Sequence, residues 1–346
     1  MFPGQQLRPG GLLSVHMGTE QNVKNLNPVL SLADRALDKL VIPGYSSIGP
    51  AVRKFWWPAD PKPFRRPVDI VVTGGSSGIG AATAAGLTAL GARVHLVGRK
   101  ADKLQTSASK IRVRQPDAEL VIHETDVSDL GAVHALIATL TDELDSLHAV
   151  VHCAGVMPPE RTTTAQGHEM AFATHVLGPF LLTIGLRPLL QADGDGRVIF
   201  VSSGGMYTAE LETDLEYTEG EYKGVRGYAR TKRMQVVLTE QLGRAFAGDN
   251  DPVVHSMHPG WADTPGITDS IPGFGKVVKP ILRTPESGAD TIVWLAASPE
   301  AALSTGKFWN DRRPRPTHYL PWQSDDPGAR QRLWDTCVSA TGALVG

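Results

Sequence analysis

Cysteine is nearly missing from this chain. Cys153 and Cys337 are the only two in 346 residues, which excludes a disulfide framework and a thiolate zinc site. No run of about 18 consecutive apolar residues occurs, so no spanning helix is expected. The opening stretch Met1–Gly18 lacks the continuous apolar core of a secretory leader. The expected compartment is therefore reducing and cytoplasmic. A charge excess of either sign is also lacking: 34 basic side chains stand against 36 acidic ones, for a net charge of −2. Nothing global attracts a nucleic acid. No repeat at solenoid periods is found. What remains, 41% hydrophobic and 20% charged residues, is the composition of a globular protein.

Residues 1–66 read as an N-terminal arm and linker. A helix is expected from Pro28, capped by Asn27, with Val29, Leu30, Ala33, Leu37 and Leu40 on one apolar stripe and Pro43-Gly44 as its stop. The basic-aromatic patch Ala51–Trp57 and a proline-dense linker, Pro58–Pro67, follow. Packing of this arm on the main domain or a second subunit is the preferred reading. Peripheral contact with a membrane surface is the alternative.

From Asp69 onward, short β-branched runs alternate with helical patterns. Strands are expected at Ile70–Thr73, Val94–Val97, Leu120–His123, Ala149–Cys153, Val198–Val201 and Val253–Met257, with a last one near Gly306–Trp309. Helices are expected at Ala81–Leu90, Ala132–Leu140, Met170–Leu190 and Gly227–Ala247, and a short amphipathic segment at Arg330–Val338. This alternation predicts a Rossmann-like α/β fold: a doubly wound parallel sheet in three αβα layers. The expected division is an arm (1–66), one dinucleotide-binding domain with its own substrate site (67–310) and a C-terminal extension (311–346).

The first strand runs into Thr73-Gly74-Gly75-Ser76-Ser77-Gly78-Ile79-Gly80 and then a helix of small residues. Glycines at 74, 78 and 80 allow a tight turn and close approach of a pyrophosphate to a helix N-terminus. About 20 residues on, where an acid would read a free ribose 2′-hydroxyl, stand Arg99 and Lys100. Two cations suit a 2′-phosphate, so Arg99 points to NADP(H) rather than NAD(H), which is not excluded. Tyr228 and Lys232, at i and i+4, share a helix face. A lysine near a phenol lowers its pKa and suits it to general acid–base work. Ser202-Ser203 end a strand at the sheet's carboxyl edge, where a hydroxyl can hold a substrate carbonyl.

Taken in order, these motifs resemble the short-chain dehydrogenase/reductase family over about residues 67–310. The carriers are the TGxxxGIG loop at 73–80, Asp126-Val127, Ala154-Gly155, the Ser203 motif, Tyr228-x-x-x-Lys232, and Pro259-Gly260 with Thr264. The wording of residues 202–206 and 258–266 is nearest to the branch close to the retinol-dehydrogenase-like members. The resemblance implies an alcohol–carbonyl oxidoreductase in which Tyr228 exchanges the proton, Lys232 holds the nicotinamide ribose and Ser203 orients the carbonyl. Gly74, Ser76, Ser77, Gly78, Ile79 and Gly80 would line the pyrophosphate. Asp126 would contact the adenine with Val127 beside it, and Cys153, Ala154 and Gly155 would follow along the cofactor. Pro259, Gly260, Trp261 and Thr264 would hold the nicotinamide. The family's pairing of helices also implies a homodimer, a surface that the arm either extends or blocks.

Two positions depart from the family pattern. Cys153 stands in the usual NNAG turn, and His175 stands for the asparagine of the proton relay. A histidine could relay a proton, though it cannot copy an amide's paired donor and acceptor. These departures motivate a rival reading, a dinucleotide-binding scaffold or redox sensor with little turnover, which intact Ser203, Tyr228 and Lys232 oppose. An epimerase or dehydratase is disfavoured by the glycine spacing. His123, His255 and His258 lack metal-ligand spacing with a third partner and are expected to be core or edge histidines. Trp56, Trp57, Trp294, Trp309 and Trp322 read as packing residues, whereas Trp261 lies in the nicotinamide-side loop. The acidic interval from Glu210 to Glu221 suggests a hairpin or lid. Ile267, Ile271, Phe274, Val277 and Val278 suggest an apolar wall for a lipophilic alcohol or carbonyl compound.

Overall fold

The computed structural model describes residues 28–263, 279–320, 322–343 and 345. Each expected strand is present, with its ends moved by one residue at most. They are β1 (Asp69–Thr73), β2 (Arg93–Gly98), β3 (Leu120–Glu124), β4 (Ala149–His152), β5 (Arg197–Val201), β6 (Val253–Met257) and β7 (Lys307–Asn310). An eighth, β8 (Arg313–Arg315), turns back antiparallel on β7. The sheet runs β3-β2-β1-β4-β5-β6-β7-β8. All pairs except the last are parallel. Strands buried on both faces need continuous apolar runs, and Ile70-Val71-Val72 and Val198-Ile199-Phe200 supply them with no exposure at all.

Helices cover both faces. On one lie α4 (Gly78–Ala89), α5 (Ala101–Arg114) and α10 (Pro285–Ala297), whose Leu87, Leu104 and Ile292 pack on Val72, Leu96 and Met257. On the other lie α6 (Leu130–Glu143), α8 (Gly178–Asp193), α9 (Gly224–Ala245) and α11 (Pro327–Thr341), which enclose Leu136, Phe180, Leu238 and Leu333. Each such buried side chain contributes about 1.5–3 kcal/mol. The helix expected over Met170–Leu190 is three pieces in series: α7 (Met170–Phe172), a π turn (Ala173–Leu177) and α8. This stretch is long and apolar enough to cross a membrane by length and composition, yet it is mostly buried in the core. The C-terminal extension is likewise built in, since Ala329, Leu333 and Cys337 of α11 belong to the core. Arg233 of α9 also grips Asp325 at 2.6 Å.

The arm corrects two expectations. α1 (Pro28–Lys39) starts where expected, but Pro43-Gly44 does not stop it; the chain breaks at Leu40 and Pro43-Gly44 lie inside a short α2 (Val41–Tyr45), followed by α3 (Ile48–Arg53). More important, the apolar stripe of α1 is not its buried face. Of the stripe, Val29, Leu30, Ala33 and Leu40 are exposed and Leu37 is half-buried, whereas Asp34 is buried. The cause is the company Asp34 keeps. Arg53, with no exposed surface, and Arg315 both bind its carboxylate, at 2.9 and 2.6 Å. Two buried guanidiniums need anions more than the core needs four more aliphatic side chains.

Candidate active site

The order of the sheet reverses between β1 and β4, so a crevice opens at their carboxyl ends. The glycine loop lies there. Gly74 and Gly78 have φ of +70° and +55°, a backbone region that glycine enters without strain. Gly74 lies against the backbone of Cys153-Ala154, and a Cβ on Gly80 would overlap the Gly74 carbonyl. Ser77 precedes α4 without capping it by its side chain, so the first-turn N–H groups remain for an anion. This glycine-lined cradle at an uncapped helix fits a pyrophosphate. At the adenosine end Arg99 and Lys100 are exposed beyond β2, and neither is paired among the described residues. Asp126 is held in place by Ser128, whose N–H and hydroxyl donate to it at 2.9 and 2.8 Å. Val127 is buried beside it, its carbonyl filling the space left by Gly178.

The two serines after β5 separate clearly. Ser202 is buried and donates to the Lys232 carbonyl at 2.8 Å, tying α9 to the strand. Ser203 is half-buried, accepts from the Gly205 N–H at 3.1 Å and faces the Tyr228 phenol. Burial pushes that phenol above its ordinary value, and the Ser203 hydroxyl offsets part of the rise. Lys232 is almost fully buried, and burial pulls its ammonium down to about 7. Its Nζ donates to the Val201 carbonyl at 2.8 Å and to Gln235 Oε1 at 3.0 Å. It lies 5.4 Å from the centre of the Tyr228 ring. The protein alone displays a phenol raised by desolvation and eased by Ser203, rather than one lowered by the lysine.

His175 lies in the π turn with no exposed surface, edge-on to Tyr228 at 5.5 Å between ring centroids. Its two nitrogens are both engaged. Thr231 Oγ1 donates to the Tyr228 carbonyl at 2.9 Å, so it accepts from His175 Nδ1–H at 2.8 Å. Nε2 accepts from the Val156 N–H at 2.9 Å. The ring is therefore neutral, and burial keeps its pKa well below the ordinary value. A relay through this ring has no nitrogen to use. The His175 carbonyl accepts from Gln235 Nε2 at 2.9 Å. Buried Gln235 thereby joins Lys232 to the π turn. Sequence reasoning missed Gln235 and Thr231, although both share the helix with Tyr228 and Lys232. Cys153 is half-buried, and burial pushes its thiol up to about 12. The bracing expected of an asparagine there comes from Thr73, whose hydroxyl accepts from the Ala154 N–H at 3.1 Å. Gly155 lies against His175 Nε2.

Beyond β6, Pro259 is buried and Gly260, with φ of +72°, turns the chain so that half-buried Trp261 follows. Thr264 and the wall expected at 267–278 lie outside the described residues. The acidic interval is neither hairpin nor lid. After a 3-10 turn (Gly204–Thr208) it runs irregularly, with no strand in it, and is tied down: Glu216 accepts from the Glu169 N–H at 2.8 Å and Tyr222 donates to Glu169 at 3.0 Å. Leu211, Leu215 and Tyr217 are buried beneath it. His255 accepts from Trp309 Nε1 at 3.0 Å inside the core. Among the described residues no cluster of three metal-ligating side chains occurs.

Comparison with known proteins agrees with this arrangement. A family model described as short chain dehydrogenase matches residues 69–271. Dehydrogenase/reductase SDR family member 12 of Homo sapiens is 40% identical over 268 residues, covering 76% of this chain and 83% of that protein. Retinol dehydrogenase 14 of Mus musculus is 32% identical over 292 residues, covering 80% and 86%. A solved structure of an uncharacterized protein from Mycobacterium paratuberculosis has a TM-score of 0.66 at 23% identity, covering 84% of this chain and 99% of that one. A 3-oxoacyl (acyl-carrier-protein) reductase of Agrobacterium tumefaciens C58 with NADP bound has a TM-score of 0.57 at 24% identity, covering 70% and 91%. The structural matches show the fold. The sequence matches show the family: this chain belongs to the short-chain dehydrogenase/reductases, oxidoreductases with a nicotinamide-dinucleotide-binding Rossmann fold.

Proposed function

We propose that the protein interconverts a lipophilic alcohol and its carbonyl compound with NADP(H). The observation that carries this reading is the placing of Ser203 beside the Tyr228 phenol and buried Lys232, at the carboxyl edge of the sheet. In the reductive direction Tyr228 gives its proton to the carbonyl oxygen while Ser203 donates a hydrogen bond to the same atom. In the oxidative direction the phenol must first lose its proton. A bound nicotinamide supplies or accepts the hydride. Gly74, Ser76, Ser77, Gly78, Ile79 and Gly80 would hold its pyrophosphate, Asp126, Val127, Cys153, Ala154 and Gly155 the adenosine side and the bridge, and Lys232 with Pro259–Trp261 and Thr264 the nicotinamide end. His175 positions Thr231 and the 155–156 turn rather than moving a proton.

Since burial raises the Tyr228 phenol, it stays protonated across neutral pH, which favours carbonyl reduction there. Oxidation rates should climb as pH approaches the phenol's ordinary value of ~10. The lipophilic class is supported by retinol dehydrogenase 14, a relative named for such an alcohol. The redox-sensor alternative gains no support, because a thiol held at about 12 carries almost no thiolate.

Exposed Arg99 carries the choice of NADP(H). Titration with NADPH and NADH, followed by tryptophan fluorescence, tests it. NADPH should bind more tightly, and Arg99→Ala should weaken it about 10-fold, as expected for loss of one charge-assisted contact, with NADH unchanged. Equal or tighter binding of NADH by the native chain would remove the cofactor assignment and leave the enzyme standing.

For location we infer a cytoplasmic protein that rests on anionic membrane through its arm. The outward Val29, Leu30, Leu32 and Leu40, with Phe55, are exposed. Exposed Arg35, Lys39 and Lys54 flank them, the charge that an anionic headgroup surface attracts. Co-sedimentation with phosphatidylserine vesicles should be lost in Leu32→Asp. Retention of the native chain in the supernatant would refute the contact.

A further inference from the structure

The arm does more than decorate the domain, because its inner turn occupies the wall of the crevice. Tyr45 is 4% exposed, and its ring lies directly on Gly204, the residue after Ser203; a Cβ at Gly204 would overlap it. On its other side the ring meets His258, at 4.6 Å between centroids, and the edge of Trp261 at 6.2 Å. The Tyr45 carbonyl accepts from the Trp261 N–H at 2.7 Å and from Arg283 Nε at 3.0 Å. Gly260 turns with positive φ against that same carbonyl, where a side chain would find no room. The phenol in turn meets the Tyr319 hydroxyl at 3.0 Å, and Tyr319 stacks on Tyr207 of the Ser203 turn at 4.1 Å. One residue from the arm thus wedges between the serine turn and the 258–261 turn, touching both by its ring and clamping the second by its backbone.

We propose that Tyr45 is a positioning residue for the nicotinamide end of the site, setting the distance between the Ser203 turn and the Pro259–Trp261 turn. The proposal rests on the reading of the site as that of a dinucleotide-dependent oxidoreductase. Removal of the ring leaves the two turns free to approach or part, and displacements near 1 Å suffice to spoil a reacting geometry. The adenosine end, built on β2 and β3, has no contact with Tyr45 and should not respond. Among the described residues the hydroxyl serves only the link to Tyr319, so phenylalanine should do nearly as well as tyrosine.

The test compares full-length Tyr45→Ala, Tyr45→Phe and native protein, each titrated with NADP+ and with 2′,5′-ADP, which lacks the nicotinamide half. NAD+ and 5′-ADP replace them if NAD+ is the dinucleotide bound. Tyr45→Ala should weaken the dinucleotide about 10-fold and leave the adenosine fragment within about twofold, while Tyr45→Phe binds both as the native chain does. If Tyr45→Ala binds both ligands normally, or loses both together, the positioning role is overturned, in the second case because the loss is general loosening. If the native chain binds neither dinucleotide, the proposed function falls first and this role with it.

Discussion

Two regions meet at the Pro259–Trp261 turn, and they are held by opposite means. The dinucleotide half is an apolar sandwich in which strands such as Ile70-Val71-Val72 are enclosed by helices. The arm is fixed to the β7–β8 hairpin by charge: Arg53, Arg283 and Arg315 face Asp34, Asp38 and Asp311, all in or near the interior. The hairpin turn, Asp311-Arg312, has both φ values positive, +51° and +56°, a geometry usually given to Asn-Gly. Its strain is met by ion pairs: Asp311 binds Arg53 and Arg283 at 2.6 Å each, and Arg312 binds Asp290 at 2.7 Å. The lesson is one of tolerance. An apolar layer accepts many side chains of similar volume, whereas a buried ion set accepts only the partners it has.

The largest separation of the two regions should come from the chemistry. Tyr228→Phe should lower kcat by about 10²–10⁴ while thermal stability and dinucleotide affinity stay near native; a joint loss of stability would mean the phenol is structural. Next comes Arg53→Met, which removes the buried guanidinium that Asp34 and Asp311 share and leaves each with one remaining arginine, Arg315 and Arg283. It should cost about 3–5 kcal/mol in chemical denaturation. Leu96→Ala, in the apolar half, should cost about 2–5 kcal/mol through its cavity. The two then differ in reach: Arg53→Met should make the arm sensitive to protease, and Leu96→Ala should not. If Arg53→Met is as stable as the native chain, the arm is not held by charge.

Acid should act on the sandwich before the arm, because burial holds His152, His175 and His255 below their ordinary value and the unfolded chain takes up those protons first. The arginines beside Asp34 and Asp311 outweigh their burial and hold both carboxyls below the ordinary value. The unfolded chain therefore takes up protons first as pH falls, and stability is lost below about pH 4. Burial pushes Asp38 the other way, so its protonation in the folded state, above that range, stabilises slightly. Melting temperature should fall from about pH 6.5 downward as the unfolded chain protonates the histidines that the fold buries neutral, and fall further below 4 as the carboxyls follow. Asp34→Asn should flatten that second fall. The smallest effect is expected at His175. With both nitrogens engaged, His175→Asn should change kcat by less than about tenfold and leave the pH profile in place, whereas a shifted profile would restore it as a relay.

The dinucleotide half was legible because its signals are local. Strand runs, the 74–80 glycine spacing and the i,i+4 pair of Tyr228 and Lys232 each depend on near neighbours in sequence. The arm was not, because the partners that decide which face of α1 turns inward lie at positions 310–315. An apolar stripe predicts burial only when no buried cation competes for the polar face. Tyr45 gave no signal for the same reason, since its neighbours Gly204, His258 and Trp261 are all distant in sequence. Gln235 was within reach, three residues from Lys232 on the same helix.

The bond between Arg53 and Asp311 spans 258 residues, and this sets an order of events during synthesis. At 5–20 residues per second a ribosome needs about 13–52 s to deliver Asp311 after Arg53 has emerged. Throughout that interval the dinucleotide sandwich can assemble strand by strand, while Arg53 has only the carboxylates of its own arm, Asp34 and Asp38, to pair with. The arm, made well before the hairpin, is thus the last to dock, and the wedge that Tyr45 forms between the two turns is set only when the β7–β8 hairpin has left the ribosome.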